Sequence, residues 1–248
     1  MPLEKDSNQV VLITGSSSGI GQKTALEFAK AGYSIIITYY EDKSAGEKTV
    51  NECLKLGASK ADLYFLDLNN DQSINDFSVS VIKQHPEIDI LVNNAGFLIR
   101  DKLVDQTFGQ IDQQIKANLT GAIKLTKLFL PVIKKSVISV ASNLGLIGKE
   151  NLTVYCASKF GLRGFSQSLA LEQPNLKVYA ISPSLTATKM GSPSGMDPQI
   201  VAKMIFKAAT GQYRAKSGSD INVRDYLYGE NFRIFISILR KIKRNLGL

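Results

Sequence analysis

The sequence predicts an α/β fold: one doubly wound, parallel sheet of about seven strands with helices on both faces, followed by a basic amphipathic C-terminal helix. Two observations carry this. Short, β-branched apolar runs recur along the 248 residues, and a segment of helical spacing follows each one. The runs are apolar on both faces, which suits strands that helices cover from both sides. No composition break, internal repeat or low-complexity linker divides the chain. Residues 1–229 therefore read as one domain and residues 230–248 as a helical tail.

The first strand is expected over residues 10–14, Val-Val-Leu-Ile-Thr, and a glycine-rich turn closes it. A helix over 19–31 follows, with Ile20, Ala25, Phe28 and Ala29 at helical intervals. Further strands are expected at 34–39, 61–67, 88–93, 137–141 and 177–181, with a weaker one at 220–223. Asp71 reads as the N-cap of the helix after the third strand. His85, in Lys83-Gln84-His85-Pro86, reads as a solvated residue at the polar end of that helix. A longer helix begins near Phe108 and carries Ile111, Ile115, Leu119 and Ala122. In the tail, Phe232, Phe235, Ile236, Leu239, Ile242 and Leu246 form an apolar stripe, with Arg233, Arg240 and Arg244 opposite. Docking of that stripe on the core or a second subunit is favoured over contact with an anionic membrane surface.

Composition excludes several function classes. With 44% hydrophobic and 21% charged residues, the chain can bury a sizeable core. Cys53 and Cys156 are its only cysteines, so neither a disulfide scaffold nor a cysteine metal centre is expected. His85 is the only histidine, which argues against histidine-rich metal sites and Ser-His-Asp catalysis. No metal is expected. The 30 Lys+Arg exceed the 22 Asp+Glu by +8, and +4 of that excess lies in residues 229–248. No aromatic-basic platform accompanies it, so nucleic acid is not an expected partner. The N-terminus lacks the order of a secretory signal, and no stretch reaches the roughly 18 apolar residues of a membrane span. A cytoplasmic location is expected.

Directly after the first strand comes Thr14-Gly15-Ser16-Ser17-Ser18-Gly19-Ile20-Gly21, where a helix starts. Glycines there let the backbone approach a pyrophosphate, and the helix N-terminus offers unpaired N–H groups to the anion. This octet resembles the cofactor loop of the classical short-chain dehydrogenase/reductase family. Asn93-Asn94-Ala95-Gly96 follows the fourth strand, as the family's N-N-A-G does. Tyr155-Cys156-Ala157-Ser158-Lys159 matches its Y-x-x-x-K, and Ser142 precedes Tyr155 by thirteen residues. Asn118 stands where the family has its helix asparagine. Four separated motifs thus occur in family order between residue 10 and about residue 190.

The resemblance implies a Rossmann-type sheet and a nicotinamide dinucleotide cofactor. Its candidate contacts are Gly15, Ser17, Ser18, Gly19, Ile20 and Gly21 of the loop, Tyr39 and Tyr40 after the second strand, and Asp67 and Leu68 at the adenine. Asn94, Ala95 and Gly96 would line the adenine ribose, and Pro183, Thr186 and Thr188 the nicotinamide. Ser184 stands where the family's P-G-x-x-x-T has its glycine. Tyr39 occupies the position where an acid would bind the ribose hydroxyls and repel a 2′-phosphate, so NADP(H) is favoured over NAD(H).

Tyrosine, with a pKa of about 10, needs a nearby cation to exchange protons near neutrality. Lys159 shares a helix face with Tyr155, and both are also expected to touch the cofactor. Ser142 would orient the substrate oxygen, and Asn118 would hold a water that extends a proton relay to Lys159. Asn143-Leu144-Gly145-Leu146-Ile147 and residues 185–196 flank the substrate in this family, so Ser142, Leu144 and Tyr155 are the candidate substrate contacts. Gly191, Pro193, Gly195 and Pro198 mark the second segment as a lid. The resemblance implies hydride transfer between the nicotinamide and a ketone or secondary alcohol, with a 3-oxoacyl thioester or another apolar carbonyl preferred. The alternative is a non-catalytic nucleotide-sensing protein on the same fold. A homo-oligomer, dimer or tetramer, is also implied. Two departures stand out: the stretch from Pro131 to Ser139 is shorter than the family's, and Arg224-Asp225-Tyr226 replaces its terminal Asp-Gly-Gly.

Overall fold

The computed structural model describes residues 9–223, Tyr226 and Leu227; the tail expected over 230–248 lies outside them. Seven parallel strands form one sheet in the order β3-β2-β1-β4-β5-β6-β7. They are β1 (Val10–Ile13), β2 (Ser34–Tyr39), β3 (Lys60–Phe65), β4 (Ile88–Asn93), β5 (Ile133–Val140), β6 (Lys177–Ser182) and β7 (Asp220–Asn222). Parallel neighbours require crossovers, and helices supply them. These are α1 (Gly19–Lys30), α2 (Lys43–Leu56), α3 (Asp71–Gln84), α4 (Phe108–Ile115), α5 (Gly121–Phe129), α6 (Thr153–Glu172) and α7 (Pro198–Ala209).

Side-chain alternation divides the core between the two faces of the sheet. Val11 and Ile13 of β1 join Phe28 of α1, Cys53 of α2 and Met204 of α7 on one face. Leu12 joins Phe77 of α3, Phe129 of α5 and Leu169 of α6 on the other. Leu12 lies opposite Ile36 of β2 and Leu91 of β4, so the sheet centre is aliphatic throughout. The strand order reverses between β1 and β4. Open sheets of this kind take their ligands in the crevice outside the carboxyl edge at such a reversal.

Several expectations change. The third strand runs Lys60–Phe65 and leaves Asp67 in the loop beyond it. β5 starts four residues earlier than expected, at Ile133, because the short turn Leu130–Val132 feeds straight into it. Its early part is hidden from a hydrophobic reading, since Lys134 and Lys135 pair with Glu87 and Asp89, each at 3.0 Å. The pairing with β4 slips there, between Ile88 and Ile90. The cap of α3 is Asn70, which accepts from the Gln72 and Ser73 N–H groups; Asp71 lies in the first turn and pairs with Lys124.

His85 is not solvated. It is 7% exposed, and its Nε2 lies 3.0 Å from Asp62 Oδ2, with the Lys60 ammonium at 2.8 Å on the same oxygen. The long helix from Phe108 is continuous but carries a π turn at Lys116–Thr120, which contains Asn118. Such turns often sit at functional sites.

Candidate active site

Three hydroxyls sew the glycine loop to the strands beside it. Thr14 Oγ1 accepts from the backbone N–H groups of Asn94 and Ala95, both at 2.9 Å. Ser16 Oγ donates to the Ile13 carbonyl and accepts from the Thr38 N–H at 3.0 Å. Thr38 Oγ1 accepts from the Gly15 N–H at 2.9 Å. Asn94 answers from just after β4, donating Nδ2 to the carbonyls of Thr14 at 2.8 Å and Gly15 at 3.2 Å. The ends of β1, β2 and β4 are therefore locked together.

Added atoms would spoil this arrangement. Gly15 has φ +62, and a Cβ on it would stand 2.9 Å from Ala95 Cα. A Cβ on Gly21 would stand 2.5 Å from Asn94 Nδ2 and strike the Gly15 carbonyl. Ser18, at the N-cap of α1, makes no side-chain cap, and no acid occupies the first turn. The first N–H groups of α1, at Gly19, Ile20 and Gly21, point their dipole end at the crevice. A pyrophosphate fits such a cradle.

The remaining candidate contacts surround it. Gly19 faces the methyl of Thr188, so the loops after β1 and β6 meet. Ser17 accepts from Thr49 Oγ1 through its carbonyl. Tyr39 meets Phe65 edge-on at 5.8 Å, and exposed Tyr40 tilts over the same ring at 6.2 Å. Of the nearby acids Glu41 and Asp42, Asp42 is committed to the cap of α2 through the Ala45 N–H at 2.9 Å. Asp67 Oδ1 accepts from the Asn69 N–H at 2.8 Å, which fixes the loop after β3. Leu68 is buried beside Gly121 of α5.

Across the crevice, Ser142 follows β5 and caps the short turn Asn143–Gly145, its Oγ accepting from the Leu144 N–H at 3.1 Å. Tyr155 and Lys159 lie one helical turn apart on the buried side of α6. Burial pushes the Tyr155 phenol up, and the neighbouring Ser142 hydroxyl partly offsets the rise. The Lys159 ammonium donates to the Val140 carbonyl at 2.9 Å and stands 5.7 Å from the Tyr155 ring centre. Burial lowers it to about 8. Charge is costly in that environment, so Lys159 can release its proton far more readily than an exposed lysine.

Asn118 is a clamp. It accepts from the Phe97 N–H at 2.6 Å and donates to the Phe97 carbonyl at 2.8 Å and Ser158 Oγ at 3.2 Å. Both ends of its amide are thus engaged by protein groups, pinning the loop after β4 to α6. Asn118 Oδ1 and Lys159 Nζ nevertheless converge on Gly96, 3.2 and 3.6 Å from where a Cβ would be.

Leu144 packs with Leu98 against Leu152, Tyr155 and Cys156, giving an apolar wall beside the phenol. Pro183 accepts from the Asn143 N–H at 2.9 Å, so the nicotinamide stretch and the serine turn are joined. Thr186 Oγ1 donates to the Ser184 carbonyl, and Thr188 Oγ1 accepts from the Gly191 N–H. The segment expected as a lid is closed at its base by pairing of Thr186 with Met196. Leu146, Ile147, Leu185 and Met190 stand exposed around the entrance.

Sequence reasoning missed Thr14, Ser16 and Thr38, which carry the cradle, and an ion pair of Arg163 with Asp220 behind the serine turn. The hydroxyls had no signal beyond their nearness to the glycines. Arg163 had one: it lies four residues beyond Lys159 on the same helix face.

Comparisons with known proteins agree with this fold. A family model for short chain dehydrogenases matches residues 9–199. Epidermal retinol dehydrogenase 2 of Mus musculus is 26% identical over 97% of this chain and 80% of its own length. The 3-oxoacyl-[acyl-carrier-protein] reductase of Thermotoga maritima is 33% identical over 73% of this chain and 76% of its own. The chain spans 64% and 59% of the length of some other curated relatives it matches. In structure, a short chain dehydrogenase from Burkholderia cenocepacia in complex with NADP superposes with a TM-score of 0.82 at 24% identity, over 86% of this chain and 95% of that one.

Proposed function

The chain belongs to the short chain dehydrogenase family, a family of nicotinamide-dependent oxidoreductases, and from that premise we propose that it interconverts an apolar ketone and its secondary alcohol with NADP(H). One observation carries the reading. A phenol, a hydroxyl and an ammonium meet at the carboxyl edge of the sheet, beside a cradle that suits a dinucleotide. All the groups the reaction needs are present, which disfavours a purely sensory protein.

The dinucleotide supplies or accepts the hydride. The protein holds the oxygen and moves the proton. In the reductive direction, the hydroxyls of Ser142 and Tyr155 donate to the carbonyl oxygen and fix its orientation. Charge grows on that oxygen as the carbon is reduced, and Tyr155 Oη gives up its proton to it. A phenol held up by burial is fully protonated near neutrality and ready for this role. The ammonium of Lys159 then steadies the phenolate until it is reprotonated. In oxidation the same groups run in reverse.

The coenzyme preference rests on the tyrosines at 39 and 40, where no carboxylate would repel a 2′-phosphate, and on the capping role of Asp42. The substrate class rests on the wall of Leu98, Leu144 and Leu152 and on the exposed apolar residues around the entrance. The retinol and 3-oxoacyl substrates named for two relatives have the same character. A cytoplasmic homo-oligomer completes the proposal, and light scattering of the purified chain tests its assembly. The deciding experiment follows NADPH and NADH oxidation in parallel over 3-oxoacyl thioesters, retinal and steroid ketones. Turnover with NADPH is expected; a chain that oxidises neither nucleotide on any carbonyl overturns the reading.

A further inference from the structure

Arg163 follows Lys159 by one turn of α6 and lies behind the serine turn. Its Nε donates to Asp220 Oδ2 at 2.8 Å, with side chains only 16% and 12% exposed. Its Nη1 donates to the Gly145 carbonyl, the last residue of the turn that Ser142 caps. The other oxygen of Asp220 accepts from Ser182 Oγ at 2.6 Å. Ser182 precedes Pro183, whose carbonyl accepts from the Asn143 N–H at the start of the same turn. The turn has little freedom left. A Cβ on Gly145 would stand 2.9 Å from both Arg163 Cδ and the Lys159 carbonyl.

A nearly buried ion pair is a poor source of stability, because desolvation offsets most of its attraction. Its geometry is specific, however. Only a planar fork can bond a carboxylate through one nitrogen and a carbonyl through another. We infer that Arg163 and Asp220 are positioning residues: they hold the Asn143–Gly145 turn so that the Ser142 hydroxyl meets the phenol and the substrate oxygen. Through Ser182 the same carboxylate ties that turn to the nicotinamide stretch, so substrate and coenzyme are aligned by one group on β7. This inference rests on the reductase reading above, because it assigns the turn a role in that reaction.

The test uses the full chain. Arg163→Lys keeps the charge opposite Asp220 and loses the fork; Asp220→Asn keeps the shape and covers the case in which the lysine variant fails to fold. Amide hydrogen exchange on the nucleotide-free protein should rise about tenfold at Leu144 and Gly145 in either variant. With a ketone that the wild type reduces, kcat should fall about tenfold to a hundredfold, the range for small misplacements of reacting groups. NADPH affinity should fall far less than kcat, by no more than about threefold, because the pyrophosphate cradle lies across the crevice and only the nicotinamide end is tied to Asp220. Unchanged exchange at those amides overturns the inference whatever the activity. A lower melting temperature with kcat intact also overturns it, since that is all a purely structural pair would cause. A wild type that reduces nothing overturns the reductase reading instead.

Discussion

The two sides of the crevice are built from different materials. On the β1–α1–β4 side the contacts are backbone groups, the hydroxyls of Thr14, Ser16 and Thr38 and the amide of Asn94, with no charged side chain among them. On the β5–α6–β6 side, the buried groups are a phenol, an ammonium and an ion pair. The difference sets how each side fails. The first side is damaged by added atoms, because the role proposed for it is close approach to an anion. The second is damaged by the loss of single polar atoms or of a proton.

The sharpest break is Tyr155→Phe. Removing one oxygen from the second side should cut turnover by about a thousandfold, within the range for a positioned proton donor. Nucleotide affinity, read by NADPH fluorescence, should move by no more than a few-fold. A variant that still reduced ketones at the wild-type rate would remove the contrast altogether. The converse change is Gly21→Ala, which adds one methyl to the first side. It should weaken NADPH binding about tenfold or more and cost about 1–3 kcal/mol of stability as overpacking, measured by urea denaturation. Ser142, Tyr155 and Lys159 would keep their arrangement.

Protons sharpen the comparison further. Lys159 is lowered from 10.5 to about 8, so its ammonium is lost as pH rises through that value. Reductive kcat should be level below about pH 8 and fall above it, while oxidation gains. The folded chain also binds fewer protons here than the unfolded chain between about pH 8 and 10.5. Stability from this group therefore rises with pH across that window, and is at its lowest below it. Lys159→Met should lose the trend when denaturation is compared at pH 7 and pH 9.5. The smallest effect is expected at the rim. Tyr39→Asp should turn a preference for NADPH into one for NADH by about tenfold, as a carboxylate there bonds ribose hydroxyls and repels a 2′-phosphate.

On the first side the glycines were legible, because glycine spacing after a strand reports a backbone requirement that few other residues meet, but the hydroxyls of Thr14, Ser16 and Thr38 beside them were not. Strands were found where both faces are apolar and missed where they are not, as at Lys134 and Lys135 on the amino end of β5. His85 illustrates the limit. Its neighbours in sequence are polar, but what buries and pairs it is Asp62 on β3, a partner twenty-three residues away. Asn118 was identified by its place in a motif, whereas the hydrogen bonds it makes, to Phe97 and Ser158, depend on how the loop after β4 returns to α6. The Arg163–Asp220 pair spans fifty-seven residues and belongs to no motif. Local chemistry shows in a sequence; long-range pairing shows only once the chain has folded.

The strand order also governs how the molecule comes into being. β1 pairs with β2 and β4, and the hydroxyl of Thr14 waits for Asn94, eighty residues later in the chain. At a synthesis rate of about 5–20 residues per second, one edge of β1 stays unpaired on the ribosome for roughly 4–16 s. All of its pairings are non-local, a pattern that slows folding to the millisecond-to-second range even for a free chain. During that interval the aliphatic run Val10–Ile13 is an open template for another copy. Refolding yield should therefore fall steeply with protein concentration, and a chaperone that shields the N-terminal strand should restore it.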